Sequence, residues 1–512
     1  MRRFRLTKAA KVLIMILVVA LIGGGAFAGI KTGFIKMGDK KQSASVDYDE
    51  NGNVMNVDTE NDVAINLALD EWIGWKSILD AEKTGIYDDL GIDVNISVIN
   101  DATQSSNALI KGDLNAVGYT INRTAFLSNK FTEAGVDVVM PFITNYSNGG
   151  DGIIAKSSIK SVNDLVDAKI GVPEFSEAQT LVVWFVNNSD LSQKDKDKII
   201  DNLILFATPD EAAKAFFAGQ VDVAATWEPY LTQAKNMTDC HILFDTSSST
   251  SLVMDGILFR QDFVDKNPEV VEKFIIGALK ASSMYDTEFD AIRSMMPMFS
   301  TASDNDIAEN CASAKLTTWK DNKDLLNGTA KDIFTDMCII WESIGETVNA
   351  ELVNTLFDDK YVDNISGHVD TTVISNTNKV TVAADNEQEV VDTTALLTKS
   401  TTVNFAPDTA KFVDSADASK KLDEFIKIAK ILDGSIIQIE GNIASDNDTD
   451  GGVMLSKQRA ETVKQYFVLN GINADRIITI GNGGSKPMAP NDTEEHKQLN
   501  RRTDVFFKCI EE

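Results

Sequence analysis

The chain has 512 residues, 43% hydrophobic, 24% charged and 8% aromatic, apolar material for about three folding units at ~150 residues each; a single small module and a disordered polar tract are both excluded. Asp and Glu number 77 against 48 Lys and Arg, a net charge of −29, and a field of that sign repels phosphate backbones, so nucleic acid is not an expected partner. The 4 cysteines form no C-x-x-C pair and the 3 histidines stand at no metal-ligand spacing, so neither a metal nor a cofactor is expected, and with no nucleophile or nucleotide motif the chain reads as a binder, not an enzyme.

Residues 1–30 carry Arg2, Arg3, Arg5, Lys8 and Lys11 and no acid. The uncharged run 12–30, as a helix at ~1.5 Å per residue, matches roughly the ~30 Å hydrocarbon layer, and the bases before it predict a single-pass anchor with the bulk of the chain outside the cytoplasm. Ala26-Phe27-Ala28 has the form of a cleavage site, but the run is longer than a signal-peptide core, which favours an uncleaved anchor. Residues 31–61 are polar and read as a flexible stalk.

From 62 to 361 short Val/Ile/Ala-rich runs alternate with amphipathic stretches, the α/β pattern with a largely parallel sheet. Ala64 to Leu69, Asp93 to Ile99 and Gln220 to Ala225 read as strands, and Asp210 to Gly219 as a helix ended by its glycine. Ligands of α/β units sit beyond the carboxyl ends of strands. Three stretches fall there: Asp70-Glu71-Trp72-Ile73-Gly74-Trp75, Asn145-Tyr146-Ser147-Asn148-Gly149-Gly150-Asp151-Gly152, and Ala225-Thr226-Trp227-Glu228-Pro229-Tyr230. Aromatic faces with a few polar groups suit a small-molecule cleft, although each tryptophan could equally be core. Ser176, in Val172 to Gln179, could cap a helix whose free N–H groups face the solute, or simply cap it.

Residues 362–399 lack aromatics and proline and read as a linker. From 400 to 512 the pattern is β-α-β-α-β-β: a strand near Thr402-Val403-Asn404-Phe405, a helix with Leu422, Phe425, Ile426, Ala429 and Leu432 on one stripe, a strand Ile436 to Ile439, a helix Met454 to Leu469, a strand Ile477 to Ile480, and a last strand through Val505-Phe506-Phe507.

The order Trp72-Ile73-Gly74-Trp75, Gly112-Asp113-Leu114-Asn115-Ala116, Gly149-Gly150-Asp151-Gly152, Ala218-Gly219-Gln220-Val221-Asp222-Val223 and Trp227-Glu228-Pro229-Tyr230 resembles the nitrate/sulfonate/taurine-type solute-binding proteins of ABC importers. The resemblance implies a type 2 periplasmic-binding fold, two α/β lobes joined by two crossovers, with an ABC permease and its ATPase as partners. By that analogy lobe one is 62–153 plus 253–345, lobe two is 154–252, and Asp255-Gly256 lies at a crossover. The implied ligand-binding set is Trp72, Trp75, Thr120, Asn145, Ser147, Asp151, Ser176, Gln179, Trp227, Glu228 and Asp255. Asp70, Glu71, Asp151 and Glu228 on these loops, with only Lys76 beside them, tilt the solute toward an amine-bearing or heteroaromatic molecule.

Leu455-Ser456-Lys457-Gln458-Arg459-Ala460, Gly471-Ile472, Arg476-Ile477, Gly481-Asn482-Gly483 and Asn500-Arg501-Arg502 resemble the OmpA-like peptidoglycan-binding domain, a small α+β fold. The resemblance implies peptidoglycan as partner and Arg459, Asn442, Asp446 and Arg501 as its contacts. Where that family has an aspartate after Glu440-Gly441-Asn442-Ile443, this chain has Ala444. The whole reads as a membrane-anchored, wall-tethered solute receptor; the competing reading is a wall-anchored structural or sensor protein without a transport role.

Overall fold

The computed structural model describes residues 45–48, 54–58, 63–249, 251–373, 387–406, 408–446 and 449–509. The apolar run 12–30, and with it the expected anchor, lies outside them. No helix among the described residues is long and apolar enough to cross a membrane. Within the expected stalk, β1 (Ser45–Tyr48) pairs antiparallel with β2 (Val54–Asp58). The sequence signal was present: Asn51-Gly52 between Val- and Tyr-containing runs favours a hairpin.

The chain next forms β3 (Ala64–Leu69), β4 (Asp93–Val98), β5 (Ala116–Thr120) and β6 (Val138–Ser147), crosses into β7 (Asp151–Lys156), β8 (Ile170–Pro173), β9 (Ile204–Phe206), β10 (Val223–Trp227) and β11 (Cys240–Asp245), and returns as β12 (Met254–Arg260) and β13 (Ala314–Leu316). Two sheets result, ordered β13-β6-β12-β5-β3-β4 and β11-β7-β10-β8-β9. Each mixes parallel pairs, such as β3 with β5 and β8 with β10, with antiparallel ones, such as β12 with β5 and β7 with β10. Position in the sheet explains sequence pattern. β6 is an interior strand buried at every residue, so its stretch from Val138 to Ile143 reads as a continuous apolar run, whereas edge strand β4 starts exposed-buried-exposed and alternates. The chain passes between the sheets twice, at 148–150 and 246–253. Asp255 and Gly256 fall just inside β12, not on the crossover.

The expected linker starts late. Val362 and Ile365 are buried and the helix Lys360–Asn364 packs on lobe one; these residues need no core of their own because they plug one that exists. The first strand of the C-terminal domain is β14 (Leu397–Thr401), a few residues before the expected Thr402 start, because Leu397 supplies the buried anchor. Helices Ser415–Ile431 and Asp450–Leu469, capped by Asp414 and Thr449, cover a sheet of β14, β15 (Ile436–Gly441), β16 (Ile477–Gly481) and β17 (Thr503–Lys508), ordered β14-β17-β15-β16. A short helix, Glu494–Asn500, was not in the sequence pattern.

The C-terminal domain is seated on the bilobed part. Its apolar core is continuous with that of the lobes. Gly434 N donates to Ser248 O (3.0 Å), on the second crossover, and Cys509 Sγ lies 2.7 Å from Ser248 Oγ. A side chain on Gly434 would meet Ser247 O at 2.5 Å, so only glycine allows this approach. Lys427 reaches Asp336 on the helix Ala330–Ser343 at 3.4 Å.

Candidate functional site

The loop after β3 makes one wall of the site. Trp75 is 1% exposed and packs into lobe one, and its indole N–H donates to Asp70 Oδ1 at 2.7 Å; of the two alternatives open for it, ligand contact or core, it takes the core place and aims a carboxylate. Trp72 is half-buried and donates from Nε1 to Asn145 Oδ1 at 3.0 Å. Its ring lies over Gly150, where an added Cβ would come within 2.4 Å of it. Trp72 therefore rests on the first crossover. Lys76, the one cation expected beside the loop, is buried away from the site in an ion pair with Asp80 at 2.7 Å.

Across from it, Trp227 ends β10 beside Asp151, its register partner on β7, and Glu228 N donates to Gly150 O at 2.9 Å. Trp72, Trp227 and Glu228 line one pocket together with Glu71, Ile73, Met298, Phe299 and Asn310. The Glu228 carboxylate accepts from Thr232 N and Oγ1, each at 3.0 Å, and burial pushes its pKa up.

Deeper in, β12 places Asp255 opposite both Thr120 on β5 and Asn145 on β6. Thr120 caps the helix Ile121–Glu133 by accepting from Arg123 N at 2.9 Å. That helix start projects Arg123 into the cleft, where its guanidinium meets Glu177 at 3.2 Å and Asp70 at 3.6 Å. Arg123 and Glu177 were missed from sequence; the available signal was their position in the first turn of helices that directly follow strand ends. Asp151 is pushed up to about 7, by burial first and then by Glu177. Asp255 is driven well above the usual carboxylate range, by burial and then by Asp70, Asp151 and Glu177.

Other expected contacts have structural duties. Ser147 Oγ bonds Thr246 Oγ1 (2.7 Å) and accepts from Asp151 N (3.1 Å), tying the crossovers together. Ser176 caps the helix Glu177–Asn188 and donates to Pro173 O at 2.7 Å. Gln179 Oε1 accepts from Phe175 N at 2.7 Å, holding Phe175 at φ +58°, a conformation costing on the order of 1–3 kcal/mol without such support.

A second pocket lies in the C-terminal domain, lined by Val403, Asn404, Phe405, Asn442, Arg459, Arg501, Arg502 and Thr503. Arg459 is buried, with Nε donating to Thr409 O at 3.1 Å and its guanidinium 5.0 Å from the Phe405 ring centre. Burial and then Arg501 lower its pKa. Asn442 donates to Asp504 at 2.9 Å and accepts from Asn482 at 3.0 Å. Asp446 is exposed, outside this lining, and accepts from Asn491 at 2.8 Å.

Residues 75–285 match the family model described as NMT1/THI5 like, and they fall in the two-sheet mixed α/β part of the chain. The periplasmic aliphatic sulphonate binding protein SsuA from Escherichia coli is similar at 15% identity and TM-score 0.47, covering 59% of this chain and 99% of that one. Residues 404–501 match the OmpA family model. Outer membrane protein A of Bordetella avium is 34% identical over 113 residues, 20% of this chain, so the chain spans only 58% of the length of that relative. Peptidoglycan-associated lipoprotein of Buchnera aphidicola is 30% identical over 145 residues, 28% of this chain and 83% of that protein. Through this domain the chain belongs to the OmpA family. Within the OmpA domain the structure gathers three of the four expected residues, Asn442, Arg459 and Arg501, into one pocket and leaves Asp446 out. Ala444 provides no carboxylate there.

Proposed function

We propose that the protein is an extracytoplasmic solute receptor of the ABC-importer type, held at the membrane by residues 12–30 and at peptidoglycan by its OmpA domain. The observation that carries the receptor reading is the meeting of Trp72 from one lobe with Trp227 and Glu228 from the other in a single pocket: bilobed binders close two half-sites on one solute. A peptidoglycan-associated lipoprotein among the relatives supports the wall contact. The reading is of binding and not catalysis, since the site hydroxyls of Thr120 and Ser176 are engaged with backbone and that of Ser147 with Thr246. A sensor role without transport has one observation in its favour, the contact of the OmpA domain with the crossover at Ser248.

Thermal melting of the full chain against nitrate, sulfonates, amines, pyrimidine precursors and amino acids tests the receptor reading. A solute at 100 times its Kd stabilises by ~2.7 kcal/mol. A shift with one class supports the reading, and no shift with any of them removes it.

A further inference from the structure

The described cleft sets four carboxylates, Asp70, Asp151, Glu177 and Asp255, against one guanidinium, Arg123. Arg123 is already engaged at both ends by Glu177 and Asp70, and Lys76 is taken by Asp80. A second, independent feature sits among them: Asp255, 3% exposed, has Oδ2 without a hydrogen-bond partner. A buried carboxylate oxygen is costly to leave unpaired, and the partner it lacks is a donor.

We propose that the solute is an organic cation, an amine or amidine whose charged head is received by Asp255 and Asp151 while its body lies against Trp72 and Trp227. This rests on the receptor reading above and narrows it. An anion entering here would face four carboxylates and only the already paired Arg123. A cation completes the charge balance, and the two indoles offer faces that attract it. Burial and mutual repulsion raise Asp151 to about 7 and Asp255 well above the ordinary range, so without a cation beside them these carboxyls favour the protonated form. Asp70, Glu177 and Arg123 face this pair from the neighbouring elements, two carboxylates against one guanidinium. A bound ammonium displaces the protons, so binding strengthens as pH rises and protons are released.

Isothermal titration of the full chain at pH 5.5 and pH 8 tests this with putrescine, agmatine and ethanolamine as cations, methanesulfonate and nitrate as anions, and uracil as a neutral heteroaromatic. At least one cation is expected to bind, at least tenfold tighter at pH 8, with a heat that varies with buffer ionisation enthalpy because protons leave. Asp255→Asn should weaken that affinity at least tenfold, and Asp151→Asn, at the other receiving carboxylate, should do the same where the first folds poorly; unchanged affinity in a folded variant overturns the assignment. Binding of an anion or of uracil without any cation overturns the cation assignment and leaves the receptor reading standing. Binding of none of the probes overturns the cation assignment, and it reaches the receptor reading only if the wider melting screen is also blank.

Discussion

Asp151 shows how far a single residue can be read before a structure exists. Its place after a glycine pair was visible, and so was its candidacy for the site, although the strand it starts was not. Its raised pKa was not, because that depends first on burial and then on Glu177, both set by tertiary packing. The consequence has a definite sign. The folded chain holds a proton on Asp151 that the unfolded chain gives up from about pH 4, so this residue withdraws stability as pH rises from about 4 to about 7 and no further above that. Asp151→Asn should flatten that part of the pH–stability curve, by up to about 4 kcal/mol for a shift of about three units, as measured by urea unfolding at pH 4.5 and pH 8 without solute. The tryptophans teach a related lesson. Trp72 and Trp75 are three positions apart on one loop, and composition cannot say which faces the cleft; Gly118 decides it, since a side chain there would strike the Trp75 ring at 2.9 Å. Gly150→Ala should push Trp72 off the crossover and change its fluorescence maximum, while Trp75 stays in place.

At the scale of elements, what was legible followed from local periodicity. The helix Asp450–Leu469 was anticipated through Ala460, Val463 and Phe467, all fully buried, and only its first turn, with two glycines, was missed. Phe467→Ala should cost about 3–5 kcal/mol, seen as a lowered transition in calorimetry. Elements escaped notice where their stability comes from elsewhere. The helix Lys360–Asn364 survives because lobe one buries Val362 and Tyr361, and Arg123 was hidden because its role depends on a lobe-to-lobe meeting with Glu177. In the OmpA domain Arg459 was implied by the resemblance of Leu455-Ser456-Lys457-Gln458-Arg459 to that family, and the structure adds the Phe405 ring beside it. Arg459→Ala should reduce co-sedimentation of the full chain with peptidoglycan at least tenfold; unchanged retention would remove this pocket from the wall contact.

For the whole molecule, the domain order was legible from composition and motif order, but the seating of the OmpA domain was not, since no local pattern reports that Gly434 meets Ser248. The same domain also reaches Asp336 through Lys427. Gly434→Val should detach it from the crossover, raising the radius of gyration in small-angle scattering with little change in helix content.

That seating also gives the molecule a gauge of its own motion. Cys509 packs on the pivot at Ser248 and its thiol is raised to about 11, chiefly by burial, so at pH 8 it reacts slowly with a thiol reagent while the contact holds. Cys240, Cys311 and Cys338 are buried inside the lobes and form a slow background. If closing the lobes shifts the crossover, the alkylation rate at Cys509 will change with solute, and an unlabelled, unmutated chain can be clocked by mass spectrometry as it opens and shuts.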